Sequence, residues 1–251
     1  MTCENEDMGK NKAAVSVVVP AYNESASIQE SLARIDKVLA GTGRDYEIIV
    51  VSDGSTDNTS ALVTSVGVNS VRLVENDYNK GKGFTLRHGF SEAKNPLVVF
   101  IDGDLDLNPS VLPDYLDRLD ADEADVIIGS KMHPQSQIDY PLSRRIASRI
   151  FKMATRVVTG LKISDTQTGL KAMNRNAVAP SIERCDSDGF SFDLEFLAQV
   201  TDSGGRIKDA PVILDFDFTS TIGTSSALKA LFDLRYASRY RRWKNRKALG
   251  R

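Results

Sequence analysis

The strongest constraint in this sequence is a repeated alternation. Short apolar runs rich in β-branched residues are each followed by a polar turn and then by a stretch with helical periodicity. Val15–Pro20 contains four valines, and Glu47–Ser52, Ser70–Glu75, Leu97–Ile101 and Asp125–Gly129 repeat the pattern. Helices are predicted from Ser27 to about Ala40, after Asp57, over Lys82–Ala93 and over Pro109–Leu119. Ser27-Ile-Gln-Glu30 reads as a capping box, and Asp57 as the cap of the second helix. Runs that are apolar throughout belong to strands covered on both faces. The βαβα order therefore predicts an α/β fold, a mostly parallel sheet with helices on both faces. In such sheets ligands bind beyond the carboxyl ends of the strands.

Those strand ends are where the polar residues concentrate. They are Ala21-Tyr-Asn-Glu24, Asp53-Gly-Ser-Thr-Asp57, Asn76–Gly83 and Asp102-Gly-Asp-Leu-Asp106. One acidic turn is ordinary turn chemistry. Four converging on one sheet edge point to a site. Asp102 and Asp104 are hard oxygen ligands of the kind that bind Mg²⁺ or Mn²⁺ together with substrate phosphates. A metal there would neutralise a diphosphate leaving group. Asp106 is a third candidate contact or a helix cap. The bland alternatives are an Asx turn at Asp53, a first-turn charge at Glu24 and a solvated turn at Asp102. Gly81-Lys82-Gly83 is not a P-loop, since G-x-x-x-x-G-K-[ST] is absent. A haloacid-dehalogenase-type phosphatase would carry its Asp-x-Asp near the chain start, with Thr or Ser where Asp106 stands. A sugar-nucleotide pyrophosphorylase would carry a Gly-rich basic loop where this chain has Tyr-Asn-Glu.

Taken together, Val17-Val-Val-Pro-Ala-Tyr-Asn-Glu24, Glu47-Ile-Ile-Val-Val-Ser-Asp-Gly-Ser-Thr-Asp57, Asn79-Lys-Gly-Lys-Gly83 and Phe100-Ile-Asp-Gly-Asp-Leu-Asp106 resemble family 2 glycosyltransferases of the GT-A (Rossmann-like) fold. The resemblance implies that Pro20, Ala21, Tyr22 and Glu24 line the nucleotide pocket and that Asp53 contacts the base. It implies that Gly81, Lys82 and Gly83 approach the donor and that Asp102, Gly103 and Asp104 form the metal-binding turn. Further on, Ile128-Gly-Ser-Lys131, Tyr140-Pro-Leu-Ser-Arg-Arg145, Asp165-Thr-Gln-Thr-Gly-Leu-Lys171 and Phe192-Asp-Leu-Glu195 resemble dolichyl- and polyprenyl-phosphate sugar synthases, nearest the dolichyl-phosphate glucosyltransferase branch. That resemblance places Lys131, Arg144 and Arg145 near an acceptor phosphate.

The second half is less regular. Helices are predicted over Leu142–Thr159 and Phe190–Val200, a polar loop over Ser164–Gly169 and an extended segment over Pro211–Phe218. Arg145, Arg149, Lys152 and Arg156 form one basic stripe at helical spacing, which suits an anionic membrane surface or a solvated face. A terminal helix is predicted from Thr224 to about Lys247. Nine Lys or Arg residues lie between Thr224 and Arg251, interleaved with Phe232, Tyr236, Tyr240 and Trp243. The chain thus divides into a polar tail (1–12), a glycosyltransferase-like domain (13–222) and a basic amphipathic C-terminal helix and tail (223–251). Within the domain, 15–130 reads as the donor half and 131–222 as the acceptor half.

The expected activity is inverting transfer of a hexose from a nucleotide diphosphate sugar. The resemblance favours UDP-glucose and leaves GDP-mannose open. The expected acceptor is a polyprenyl or dolichyl phosphate; the alternative is a hydroxyl of a cell-envelope or soluble saccharide. A hydroxyl must lose a proton to a base, for which Asp193 and Glu195 are candidates. A phosphate needs cationic positioning instead, which Lys131, Arg144 and Arg145 could give. Net charge is −2 over 251 residues, which gives no general pull toward nucleic acid. The first dozen residues lack the apolar core of a secretory signal. No stretch approaches the ~20 apolar residues that span a bilayer. The two cysteines, Cys3 and Cys185, offer no disulfide framework. A cytoplasmic protein, peripheral on the inner face of a membrane, is the expectation.

Overall fold

The computed structural model describes residues 12–104, 106–136, 165–166 and 168–214. Arg144, Arg145, the helix predicted over 142–159 and the basic segment 223–251 lie outside the described residues.

Among the described residues seven strands form one sheet, in the order β3-β2-β1-β4-β6-β5-β7. They are β1 (Val15–Ala21), β2 (Tyr46–Asp53), β3 (Val71–Asn76), β4 (Leu97–Phe100), β5 (Val126–Ser130), β6 (Lys171–Asn174) and β7 (Ile207–Pro211). β6 runs antiparallel to both its neighbours, β4 and β5, and the other pairings are parallel. Among the described residues the helices are α1 (Ile28–Ala40), α2 (Thr59–Ser65), α3 (Lys82–Glu92), α4 (Leu112–Asp120), α5 (Arg175–Ile182) and α6 (Phe192–Asp202).

The period-2 alternation of each strand divides the core in two. Val17, Val19, Ile48, Val50 and Val99 face one way and pack with Ile28, Leu32, Ile35, Leu112 and Leu116 of α1 and α4. Val18, Ile49, Val51, Val98 and Phe100 face the other way, against Leu86, Phe90, Phe192 and Phe196 of α3 and α6. Both faces are covered, which is why the strands read as unbroken apolar runs.

Several sequence expectations change here. Ser27 makes no capping bond from its side chain at α1. Its hydroxyl instead donates to Glu24 Oε2 (3.1 Å) and the Gly103 carbonyl oxygen (3.2 Å), tying α1 to the turn after β4. Asp57 does accept from the Thr59 N–H that opens α2, although Asn58 holds the cap position. The helix expected from Pro109 begins as a 3₁₀ turn, Pro109–Val111, capped by the Asn108 side chain. Among the described residues the last named strand is Ile207–Pro211, and Leu214 beyond it forms a bridge with Leu107; residues 215–218 of the extended segment expected over Pro211–Phe218 lie outside the described residues. The short β6 and α5 have no counterpart among the predicted elements.

The chain runs outward from β1 to β2 and β3, then crosses to β4 on the other side of β1. The strand order therefore reverses between β1 and β4, and a crevice opens at the carboxyl ends of that pair. It lies between Ala21–Glu24 and the Asp102–Asp104 turn.

Candidate functional site

Asp102 leaves β4 two residues after its last paired residue, and three other segments meet it. The first is the start of α3. Lys82 Nζ lies 2.7 Å from Asp102 Oδ1 and 2.8 Å from Oδ2, so one ammonium spans the carboxylate. The second is the loop before β6. Gly169 packs on Asp102 so closely that a Cβ there would stand 2.0 Å from Oδ2. The third is the start of α1, held to Gly103 through Ser27.

Charge is unevenly balanced within this cluster. Burial works against the Asp102 anion, but Lys82, then Lys171 and Lys131, hold its pKa below the ordinary carboxylate value. Burial also works against the Lys82 cation. Asp102 and then Asp193 overcome it, and the Lys82 pKa is raised. Asp104 Oδ1 accepts the Asp106 N–H (3.1 Å). Loss of hydration, then the charges of Asp102 and Asp106, raise its pKa. Loss of hydration also raises that of Glu24. The Ser27 hydroxyl offsets this in part, while Asp104, Asp102 and Asp57 add to it. The crevice thus holds more negative charge than its own lysine neutralises.

Asp53, at the end of β2, is buried and works within the protein. Its Oδ1 accepts from Asn76 Nδ2 (2.8 Å) and the Lys80 N–H (2.9 Å), and its Oδ2 from the Gly81 N–H (2.8 Å). Asn76 in turn meets His88 Nδ1 at 2.8 Å. This network holds the loop that carries Lys82. Gly81 has φ +96°, a conformation other residues rarely adopt, and a Cβ there would meet the Asp188 carbonyl oxygen at 2.5 Å. That same oxygen accepts the Gly83 (2.7 Å) and Phe84 (3.2 Å) N–H groups at the start of α3.

Pro20 and Ala21 close the end of β1, and Tyr22 beyond them is 45% exposed. Tyr78 and Phe190 are the other large exposed aromatics among the described residues. The Lys80 ammonium lies 5.2 Å from the Tyr78 ring centre and 4.8 Å from that of Phe84.

On the other flank, the Lys131 N–H donates to Asp165 Oδ2 (3.2 Å), which joins β5 to the loop carrying Gly169. Beneath that loop Lys171 is 1% exposed, its Nζ donating to Asp193 Oδ1 (2.6 Å) and to the Thr168 carbonyl oxygen. Glu195 is also buried, with Oε2 accepting the Ser187 N–H (2.8 Å). The sequence sets Gly169 and Lys171 inside the Asp165–Lys171 motif, but nothing local in it marks either as a site residue.

Asp102, Gly103, Asp104, Glu24, Lys82 and the Gly81 turn therefore surround one crevice, with Asp53 behind it. Lys131 is near enough for its charge to bear on Asp102. Among the described residues no three His, Cys, Asp or Glu side chains are set to hold a metal by themselves, so Asp102, Asp104 and Asp106 do not form a closed cage. Two carboxylates in one turn, with only oxygen donors, suit a hard divalent cation that completes its shell from a phosphate.

Residues 16–180 match the family model described as glycosyl transferase family 2. Glycosyltransferase AglD of Haloferax volcanii is 28% identical over 202 residues, covering 79% of this chain and 32% of that protein. An undecaprenyl-phosphate 4-deoxy-4-formamido-L-arabinose transferase of Klebsiella pneumoniae is 31% identical over 169 residues, covering 65% of this chain and 50% of that one. The chain thus spans a third to a half of the length of these two relatives. Among solved structures, glucosyl-3-phosphoglycerate synthase of Mycobacterium tuberculosis, in complex with Mn²⁺, UDP-glucose and phosphoglyceric acid, superposes with a TM-score of 0.66 at 21% identity. That match covers 90% of this chain and 80% of that one, and it shows the GT-A fold.

Proposed function

The chain belongs to glycosyltransferase family 2, and from that premise we propose that it transfers a hexose, with inversion, from a nucleotide diphosphate sugar to an acceptor that bears a phosphate. The carrying observation is the convergence of Asp102, Asp104, Glu24 and Lys82 at the point where the strand order reverses. Asp102 and Asp104 would hold Mg²⁺ or Mn²⁺, which when bound neutralises charge on the departing diphosphate. The Asp53 network fixes the loop that presents Lys82. In the transfer itself a bond forms from the acceptor oxygen to the anomeric carbon. The bond to the diphosphate oxygen breaks, and the nucleoside diphosphate leaves with the electron pair.

Two acceptor oxygens fit this scheme. One is a hydroxyl of a soluble phosphorylated acceptor. It is favoured by the likeness to the glucosyl-3-phosphoglycerate synthase structure, whose complex contains phosphoglyceric acid. That hydroxyl would have to give its proton to a base. The other is the oxygen of a lipid phosphate, as the name of the undecaprenyl-phosphate relative suggests. With a second pKa near ~6, a phosphate monoester is already largely dianionic and needs no base. The observation favouring it is at Asp193, the candidate base, which is 4% exposed and paired with Lys171. Under either reading Lys131, whose charge bears on Asp102, would be the cation offered to the acceptor phosphate. The lipid reading also carries the proposal of a peripheral place at a membrane. Among the described residues no helix is long and apolar enough to cross one.

The test is incubation of the full chain with radiolabelled UDP-glucose or GDP-mannose, Mn²⁺, and either polyprenyl phosphate or 3-phosphoglycerate. Label entering the organic phase supports the lipid acceptor, and label on 3-phosphoglycerate supports the hydroxyl. Absence of both transfer and nucleotide binding would refute the proposal.

A further inference from the structure

We infer that Lys82 is a resident counter-ion that keeps a divalent cation off Asp102 until a nucleotide diphosphate arrives, so that metal and donor enter the crevice together. The inference rests on the function proposed above and concerns the order of loading. The ammonium sits 2.7 and 2.8 Å from the two oxygens of Asp102. A divalent ion of this kind bonds its oxygen ligands at about 2.0–2.1 Å, so an ion chelated by Asp102 would need the space that Lys82 Nζ occupies, and one bound to a single oxygen would compete with the ammonium for that oxygen's charge. Gly169 backs the same carboxylate on another side, within 2.0 Å of Oδ2 for an added Cβ. Asp102 therefore has little room to turn away and offer an oxygen elsewhere.

The mount of Lys82 does not move easily. Asp53 holds the Lys80 and Gly81 N–H groups, and the Asp188 carbonyl oxygen holds those of Gly83 and Phe84. Exchange must come from rotation of the Lys82 side chain alone. Lys82 is also the first residue of α3. The helix dipole there favours negative charge and opposes a cation, so Asp102 retains the ammonium against that field. A diphosphate entering beside the start of α3 would offer the ammonium a second, more highly charged partner. Lys82 could then leave Asp102 as the metal takes its place. The other lysines are less suited to this exchange. Lys171 is committed to Asp193 and Thr168. Lys131 bears on Asp102 through its charge.

The test is Mn²⁺ titration of the full chain followed by electron paramagnetic resonance, with and without UDP or GDP. Wild type should bind Mn²⁺ weakly alone and more tightly with nucleotide. Lys82→Met should bind Mn²⁺ alone roughly tenfold or more tightly, since both Asp102 oxygens are then freed from the ammonium. The nucleotide-dependent gain should shrink. Lys82→Arg should stay weak without nucleotide, and Lys131→Met should move affinity by less than Lys82→Met. Lys82→Gln is the second neutral variant should Met at this position fail to fold. Unchanged or weaker Mn²⁺ binding by the neutral Lys82 variants, with the nucleotide-dependent gain intact, would overturn the inference and leave the proposed function standing. An equal effect from Lys131→Met would overturn it as well, by reducing the effect to general charge. Absence of Mn²⁺ binding in every variant, with and without nucleotide, would remove the proposed function and the inference with it.

Discussion

Replacing Gly169 by alanine adds one methyl group at the back of the crevice. The backbone of Gly169 is not in the left-handed region, so alanine brings no conformational strain. What it meets is Asp102. The added Cβ would stand 2.0 Å from Oδ2 and 2.4 Å from Cγ, where ordinary contact begins at 3.4 Å. The carboxylate must therefore shift by about 1.4 Å, or the loop must retreat by as much. Either movement disturbs the Lys82 pair and the proposed metal site. A misplacement of ~1 Å in a catalytic geometry costs on the order of 10²-fold in rate. The expected outcome is a drop of about that size in kcat/KM for the donor. Folding should suffer less, because Gly→Ala also restricts the unfolded chain by about 0.4–1 kcal/mol, which offsets part of the strain. The assay is donor-dependent product formation, with a thermal melt on the same sample. Turnover within about threefold of wild type would refute the claim that Gly169 positions Asp102.

Asp53→Ala removes the acceptor of three hydrogen bonds; the buried Asn76 amide keeps Thr85 Oγ1 (3.3 Å), whereas the part-buried Lys80 and Gly81 N–H groups lose their carboxylate partner, and a bond to a charged group contributes about 1.5–3 kcal/mol. Urea unfolding should show a loss of several kcal/mol together with weaker nucleotide binding, and a loss below about 1 kcal/mol would count against the anchoring role. Lys171→Met leaves Asp193 buried without its cation and should destabilise by about 3–5 kcal/mol. The double variant Lys171→Met with Asp193→Leu should recover most of that in the same measurement, and a double variant as unstable as the single one would contradict the pairing. The raised pKa of Glu24 means that its ionisation opposes folding. The stability it contributes is fully present below its ordinary 4.5 and is lost as pH rises through its raised folded-state value. Glu24→Gln should therefore raise the melting temperature of the metal-free protein at pH 7, with the gain vanishing as pH falls toward 4.5. A gain that grows toward low pH would reverse the sign of this reasoning.

Much of the scaffold was legible because its signals are local. β1, β2, β3, β4 and β5 lie within a residue or so of the runs that predicted them. β6 was not legible. It is four residues long, Lys171-Ala-Met-Asn174, and it begins with a lysine. In isolation that lysine reads as a surface charge. In the fold its ammonium is enclosed by Asp193 and Thr168, and the strand is wedged antiparallel between β4 and β5. The capping box at Ser27 failed for a related reason. The pattern was present, but the serine hydroxyl found Gly103, which is 76 residues away in sequence.

The sequence alone determined the alternating α/β scaffold and the four polar strand ends. Both follow from periodicity and turn chemistry, which act over a few residues. It also carried the family resemblance, since the motifs keep their order. Only the tertiary structure decided how those groups are used. The Lys82–Asp102 pair joins residues 20 apart, the Lys171–Asp193 pair residues 22 apart, and Gly169 backs Asp102 from a different loop. Such contacts depend on strand order, which is settled by burying both faces of the whole sheet. Asp53 and Asp102 look alike as acidic strand ends. One is enclosed by backbone N–H groups and holds a loop, while the other opens on the crevice with a lysine across both its oxygens.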